Sequence, residues 1–224
     1  MINSKLEAVS QGASLGETVY QKILLGISDM TLKPSQRITQ EELADVLNVS
    51  RQPVGPALLL LEHQGFVEPF GRRGRIVADV NEGLIMGTSQ VLAALDSYAI
   101  VLAARETSPK GMSEGLAQVS AQEQLAPDCD AAGLHQLISN FFLGFYDHRS
   151  GQQLQTIAEP LWIGYRRFLI LVERAGEQGF FDRMFGHVQD ICKCVIDGDV
   201  GLSSQKTRQF HEQAAADICK VLLK

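Results

Sequence analysis

The stretch EELADVLNVSRQPVGPALLLLEHQGFVEPFGRRGRIVA, residues 41–78, decides the fold of the N-terminal part of this chain. Thr39 and Glu42 stand at capping-box spacing, and Leu43, Ala44 and Leu47 give the short helix that follows one apolar face. Asn48 and Val49 form a tight turn. Ser50 is a natural N-cap for the next helix, which runs to about His63 or Gln64 with Pro53 in its first turn and stops at Gly65. GFVEPF and RIVADV read as two short strands joined by the basic tip GRRG. Upstream, Ser14 with Glu17 forms another capping box before Leu15, Val19, Ile23, Leu24 and Ile27, and that helix ends ahead of Pro34. Three helices followed by a two-stranded hairpin make a winged helix-turn-helix, here spanning residues 14–80 after an N-terminal tail, 1–13.

From about Asn81 the texture changes to long apolar stripes at helical spacing. Leu84, Thr88, Val91, Leu95, Tyr98 and Leu102 form the first; Leu134, Leu137, Phe141, Phe142 and Phe145 the second. Leu154, Ile157, Leu161, Tyr165, Phe168 and Val172 follow, then Phe181, Met184, Val188, Ile191 and Val195, and finally Phe210, Ala214, Ile218 and Val221. Short Gly, Pro, Asp and Ser runs (SPKG, HRSG, ERAGEQG, DGDVGLSS) separate them. The fold class is mainly α: a winged helix-turn-helix, then an all-α bundle over 81–224 with room for a pocket between helices.

Composition is that of an ordinary globular chain of 224 residues, 45% hydrophobic and 21% charged. No segment is expected to reach the run of about 18 uncharged apolar residues that a membrane span needs. The start MINSKLEAVSQGAS lacks the apolar centre of a secretory signal, and Cys129, Cys192, Cys194 and Cys219 make no disulfide framework, so a reduced cytoplasmic protein with no membrane partner is expected. The net charge of −6 argues against a nucleic-acid partner, but contact depends on the local field. Arg72, Arg73 and Arg75 crowd together at the hairpin, and Arg51 opens the third helix.

Glu42-Leu43-Ala44, Leu47, Val49-Ser50-Arg51, Pro53-Val54, Ala57-Leu58, Leu61-Glu62, Gly65 and Arg73-Gly74 fall in an order that resembles the DNA-binding domain of the GntR family. The helical half is similar to the effector domain of its FadR subfamily, often called FCD. The resemblance implies a metabolite-responsive repressor that binds double-stranded operator DNA as a homodimer, and no enzyme. Ser50, Arg51 and Gln52 then lie where a recognition helix meets phosphate and base edges, Arg suited to guanine and Gln to adenine. Arg72 and Arg73 on the wing are expected to enter the minor groove or clamp phosphate, and Gly74 lets the turn approach closely. Where the family carries Arg-Glu after Pro-Val, this chain has Gly55-Pro56. A proline inside a helix costs about 3 kcal/mol, so a kinked or locally irregular recognition helix is expected.

Many FCD domains hold a divalent metal through an Asp and a His four residues apart, plus one His from each of two later helices; Zn, Ni and Mn suit such ligands. By this resemblance His187 and His211 match the later positions, but Ser139 and Leu143 stand where the Asp and first His belong, and neither His135 nor His148 restores the pair. No metal cofactor is therefore expected; a soft-metal variant would have to add Cys194. Cys192 and Cys194 point apart on a helix, against a disulfide between them. His187 and His211, on or beside inward stripes, are instead candidate contacts for a small-molecule effector such as an organic acid, with Arg166 and Tyr165 beside them. The alternative for the two histidines is a core role, satisfied by neighbours.

Two other functions stay open at this point. One is a dimeric ligand-binding module whose DNA binding is impaired by Gly55-Pro56. The other is a small-molecule enzyme, for which Asp147-His148-Arg149 and Asp197-Gly198-Asp199 are the candidate sites, although both read as helix ends and turns, and no phosphate loop, nucleophile elbow or His-Glu-x-x-His is present.

Overall fold

In the computed structural model, which describes residues 14–71, 74–106, 130–147, 151–177 and 179–223, the chain divides into two units, Met1–Val80 and Asn81–Lys224. In the first unit Ser14 opens helix α1 (Leu15–Ser28) by accepting a hydrogen bond from the Glu17 amide at 3.3 Å. Val19, Ile23, Leu24 and Ile27 form its buried face. The strand β1 (Arg37–Thr39) leads directly into α2 (Gln40–Leu47). The capping box there is complete: Thr39 Oγ1 accepts from the Glu42 amide at 3.2 Å, and the Glu42 carboxylate accepts from the Thr39 amide at 3.1 Å. Asn48 turns the chain at φ 55°, a left-handed conformation that asparagine tolerates better than most residues. Against α3 (Arg51–His63) pack both α1 and α2.

Helix α3 runs unbroken through Pro56, where an irregularity was expected. Pro56 lacks the amide that would bond to the Gln52 carbonyl, and Gln52 lies at the exposed surface, where water can satisfy it. After Gly65, at φ 76°, come β2 (Val67–Phe70) and β3 (Gly74–Val77). β3 pairs antiparallel with β2 on one side and β1 on the other, with Val67 opposite Val77 and Ile38 opposite Arg75. The wing sheet is therefore three-stranded, not two-stranded. Arg37-Ile38-Thr39 is too short to show alternation in sequence, and within it only Ile38 is buried.

The second unit is built from α4 (Glu82–Glu106), α5 (Ala131–Gly144), α6 (Gln152–Arg174), α7 (Phe180–Ile196) and α8 (Val200–Leu222). Asp130 caps α5 through the Gly133 amide at 2.8 Å, and Asp199 caps α8 through the Leu202 amide at 2.9 Å. Thus the second Asp of Asp197-Gly198-Asp199 is a helix cap. α4 lies along α8, α7 also packs on α8, and α5 packs on α6. Phe141, Phe142, Trp162, Tyr165, Phe168 and Phe210 are fully buried between them.

Helix α4 departs from its sequence reading in two ways. Its buried face is Ile85, Ser89, Leu92, Asp96, Ala99, Ile100 and Ala103. The stripe read as the core face points outward instead, with Val91 44% and Tyr98 51% exposed and Leu84, Thr88, Leu95 and Leu102 half-buried. The helix is apolar on both sides, so hydropathy alone does not choose between them. Contrary to the expectation from composition, Glu82–Arg105 is also long and apolar enough to cross a membrane. Its polar residues Asp96 and Ser97 are nevertheless buried and bonded within the bundle, as described below.

Replacing Thr39 by Ala removes the hydroxyl arm of the α2 capping box, leaving the Glu42 carboxylate on the residue-39 amide, and is expected to destabilise the first unit by about 1 kcal/mol. Thermal unfolding followed by circular dichroism checks this, with a midpoint lowered by roughly 4–8 °C for a unit of this size.

Candidate nucleic-acid interface and buried polar cluster

The turn at Asn48 and Val49 delivers Ser50 in an extended conformation (φ −69°, ψ 162°) at the N-cap of α3. Its hydroxyl makes no capping hydrogen bond, so the first-turn amides of α3 are not held by it. Arg51 and Gln52 follow, both exposed. Arg51 pairs with Glu41 from the first turn of α2, with side chains 63% and 62% exposed. A pair this open to water holds its members weakly. An exposed helix start with uncommitted amides, a cation and an amide side chain is suited to phosphate and base edges.

The wing contributes differently from its sequence reading. Arg75, counted with Arg72 and Arg73 in the basic cluster, forms an ion pair with Glu62 of α3 at 2.6 Å, tying β3 to that helix. Arg37, unremarked in the sequence, stacks over the Phe70 ring at 4.1 Å and places a cation on the sheet. At Gly74 a Cβ would meet the Phe70 carbonyl oxygen at 3.0 Å, a crowded contact that glycine avoids where the strands approach. Arg72 and Arg73 lie outside the described residues.

In the bundle, the sequence reading missed the group at the centre. Asp96, fully buried in the middle of α4, accepts from the Tyr146 hydroxyl at 2.6 Å and from His211 Nε2 at 2.9 Å. Burial and then the Asp96 carboxylate push the Tyr146 phenol well above its ordinary value, so it stays protonated and donating. One residue on, Ser97 accepts from Arg208 Nε at 3.1 Å through its hydroxyl and from the Ser204 hydroxyl at 3.1 Å through its carbonyl. Residues 83–104 contain one charged side chain, Asp96. A lone carboxylate in such a run is the signal that would have found this site.

Around His211 lies an aromatic box: Phe142 at 5.3 Å, Phe210 at 5.0 Å and Trp162 at 5.6 Å, with Phe142 stacked on Trp162. His211 Nδ1, Trp162 Nε1 and Arg166 Nε are buried without hydrogen-bond partners among the described residues. Tyr165 is fully buried, and burial raises its phenol as well. His135 donates from Nε2 to the Trp162 carbonyl at 2.6 Å, and burial holds its imidazole below the ordinary histidine value. His148 lies outside the described residues.

His187 does not join this cluster. It is exposed on α7 and lines an open groove of about 530 Å³ with Asp190, Lys206, Gln209, Glu212 and Gln213. It occupies a position next to the buried Val188 rather than on the inward stripe itself. The FCD metal set therefore does not assemble. His211 Nε2 is engaged by Asp96, Ser139 donates to the Gln136 carbonyl, Leu143 has no donor atom, and His187 faces out. Among the described residues no group of three or more His, Cys, Asp or Glu is placed to hold a metal ion.

Tyr146→Phe deletes a hydrogen bond to a buried carboxylate while keeping the ring. It is expected to cost about 2 kcal/mol, read as a lower urea midpoint at unchanged slope.

The fold has counterparts among known proteins. Residues 15–77 match the model of the bacterial regulatory proteins of the gntR family. A curated relative, an uncharacterized HTH-type transcriptional regulator in an unstable DNA locus of Streptomyces ambofaciens, is 25% identical over 107 residues, 48% of this chain. The match spans 45% of that relative's length. Among solved structures, E. coli McbR/YncC superposes with a TM-score of 0.76 at 19% identity, covering 93% of this chain and 99% of the other. A GntR transcriptional regulator from Rhodococcus sp. RHA1 gives 0.69 at 16% identity, covering 93% and 99%. At these identities the two structures speak to the fold, which they share along nearly the whole chain. Over residues 15–77 the winged helix-turn-helix is thus similar to the gntR family.

Proposed function

We propose that this chain is a DNA-binding transcription regulator that works as a cytoplasmic homodimer on an operator and responds to a small molecule. The observation that carries the reading is the start of α3: Ser50, Arg51 and Gln52, exposed at the N-terminus of the second helix of a gntR-family helix-turn-helix. Gln52 is suited to adenine, Arg51 to guanine or phosphate, and Gly74 to a close approach of the wing; Arg72 and Arg73, which precede it in sequence, add charge.

Support for a two-fold partner comes from α4. Leu84, Thr88, Val91, Leu95, Tyr98 and Leu102 recur at alternating spacings of four and three, the 3.5-residue period of a helix-pairing seam, and they face outward. No charged residue lies on this seam, so an identical copy laid against it meets no repulsion.

Support for sensing comes from the interior. A ligand with both donor and acceptor groups would satisfy Trp162 Nε1 and His211 Nδ1, which have no partners among the described residues. Arg166 and Tyr165, on the same helix as Trp162, would favour a small organic acid. His187 enters this reading only through the separate surface groove.

Fluorescence anisotropy with DNA from upstream of the protein's own gene and from other promoters, across a salt series, tests the DNA reading. Specific, salt-dependent binding that Arg51→Ala weakens at every salt concentration is expected; each neutralised phosphate adds about −0.9 to the slope of log K against log salt. Failure to prefer any promoter over random DNA at low salt would sink it, leaving the ligand-binding module. Light scattering tests the seam. Tyr98→Glu, at an exposed position, is expected to halve the solution mass while helicity is retained.

A further inference from the structure

The outward face of α3 holds more than its first turn. The buried residues Val54, Ala57, Leu58 and Leu61 fill one side of the helix. On the opposite side Gln52, Pro56, Leu59 and His63 succeed one another at steps of four, three and four residues, and all four are exposed. Leu59 is 47% exposed, and Leu60 at the edge of the same face is 45% exposed. After Arg51 this face carries no formal charge as far as His63, and Gly55 adds no side chain. A single exposed leucine is ordinary, but Pro56, Leu59 and Leu60 stand together as a small apolar patch on a face that meets water, placed for an apolar partner.

The major groove offers one apolar feature that an exposed proline and leucine can meet, the C5-methyl group of thymine. We infer that Pro56 and Leu59 select thymine at the inner positions of each operator half-site, beside the base that Gln52 reads. The inference rests on the DNA-binding reading given above. It assigns specificity to apolar contact over the middle of the helix, with hydrogen-bond readout confined to the first turn. Gln52 satisfies an adenine edge, and the thymines packed on Pro56 and Leu59 carry adenines as their partners, so the positions under this face are A·T pairs. Guanine there presents only acceptors, which neither side chain can satisfy.

The test uses the full chain. Bound duplexes are selected from a random-sequence library, and the selected site is then remade with uracil for thymine, one position at a time, which removes only the methyl group. Enrichment of A·T pairs at the inner half-site positions is expected, with roughly a four-fold loss of affinity for each contacted methyl removed. Leu59→Ala, at an exposed position that folding does not depend on, is expected to erase that discrimination at one position and leave it at the other. Selected sites with G·C pairs at those positions, or equal affinity for thymine and uracil duplexes, would overturn the inference while leaving DNA binding intact. A library from which no duplex is retained at low salt overturns the DNA-binding reading and this inference with it.

Discussion

Much of the bundle's arrangement hangs on one carboxylate. Helix α4 is apolar on both sides, so hydropathy does not choose which side is buried. Asp96 breaks that symmetry. With the carboxylate inside, the helix must be rotated so that Tyr146 and His211 both reach it, since an unpaired buried charge costs several kcal/mol. The same rotation aligns Ser97 with Arg208 and Ser204 of α8. It also leaves the second apolar stripe of α4 outside, where a partner helix can use it. A polar group thus fixes which of two hydrophobic faces is the core, a role that buried polar residues also have in setting helix register.

This accounts for what the sequence conveyed and what it hid. The winged unit was legible because its signals are local: Ser14, Thr39 with Glu42, Asn48 and Gly65 each act within four residues, and each stands where the structure uses it. β1 escaped notice because it consists of three residues, and its existence depends on pairing with β3, far along the chain. The helices of the bundle were legible as helices, but the inward face of α4 was read backwards. Period alone ranks faces by hydropathy, and here the deciding residue is charged. Of the buried site only His211 was legible, since Asp96 and Tyr146 come from distant parts of the chain and carry no local signal that links them to it. His187 was drawn inward by analogy with a metal set whose other members this chain lacks.

The two units divide their chemistry sharply. The bundle buries aromatic rings around a small polar centre, whereas the winged unit exposes its polar atoms at the start of one helix. Within that unit Arg75 is committed to Glu62 at 2.6 Å, so it serves to hold the wing strand against α3. The free cationic surface is correspondingly smaller than a count of arginines suggests.

Arg51 and Glu41 have a bearing on energetics of a different kind. Because Glu41 already sits on the guanidinium, it acts as a tethered counterion. Under the DNA-binding reading, a phosphate that engages Arg51 must first displace this carboxylate, so the arginine gives up one partner to gain the other. The cations released come from the nucleic acid and are the same whether or not Arg51 was paired, so the pair lowers the affinity gained there without removing its salt dependence. The freed Glu41, lying near the polyanion, opposes any complex in which Arg51 is not fully engaged.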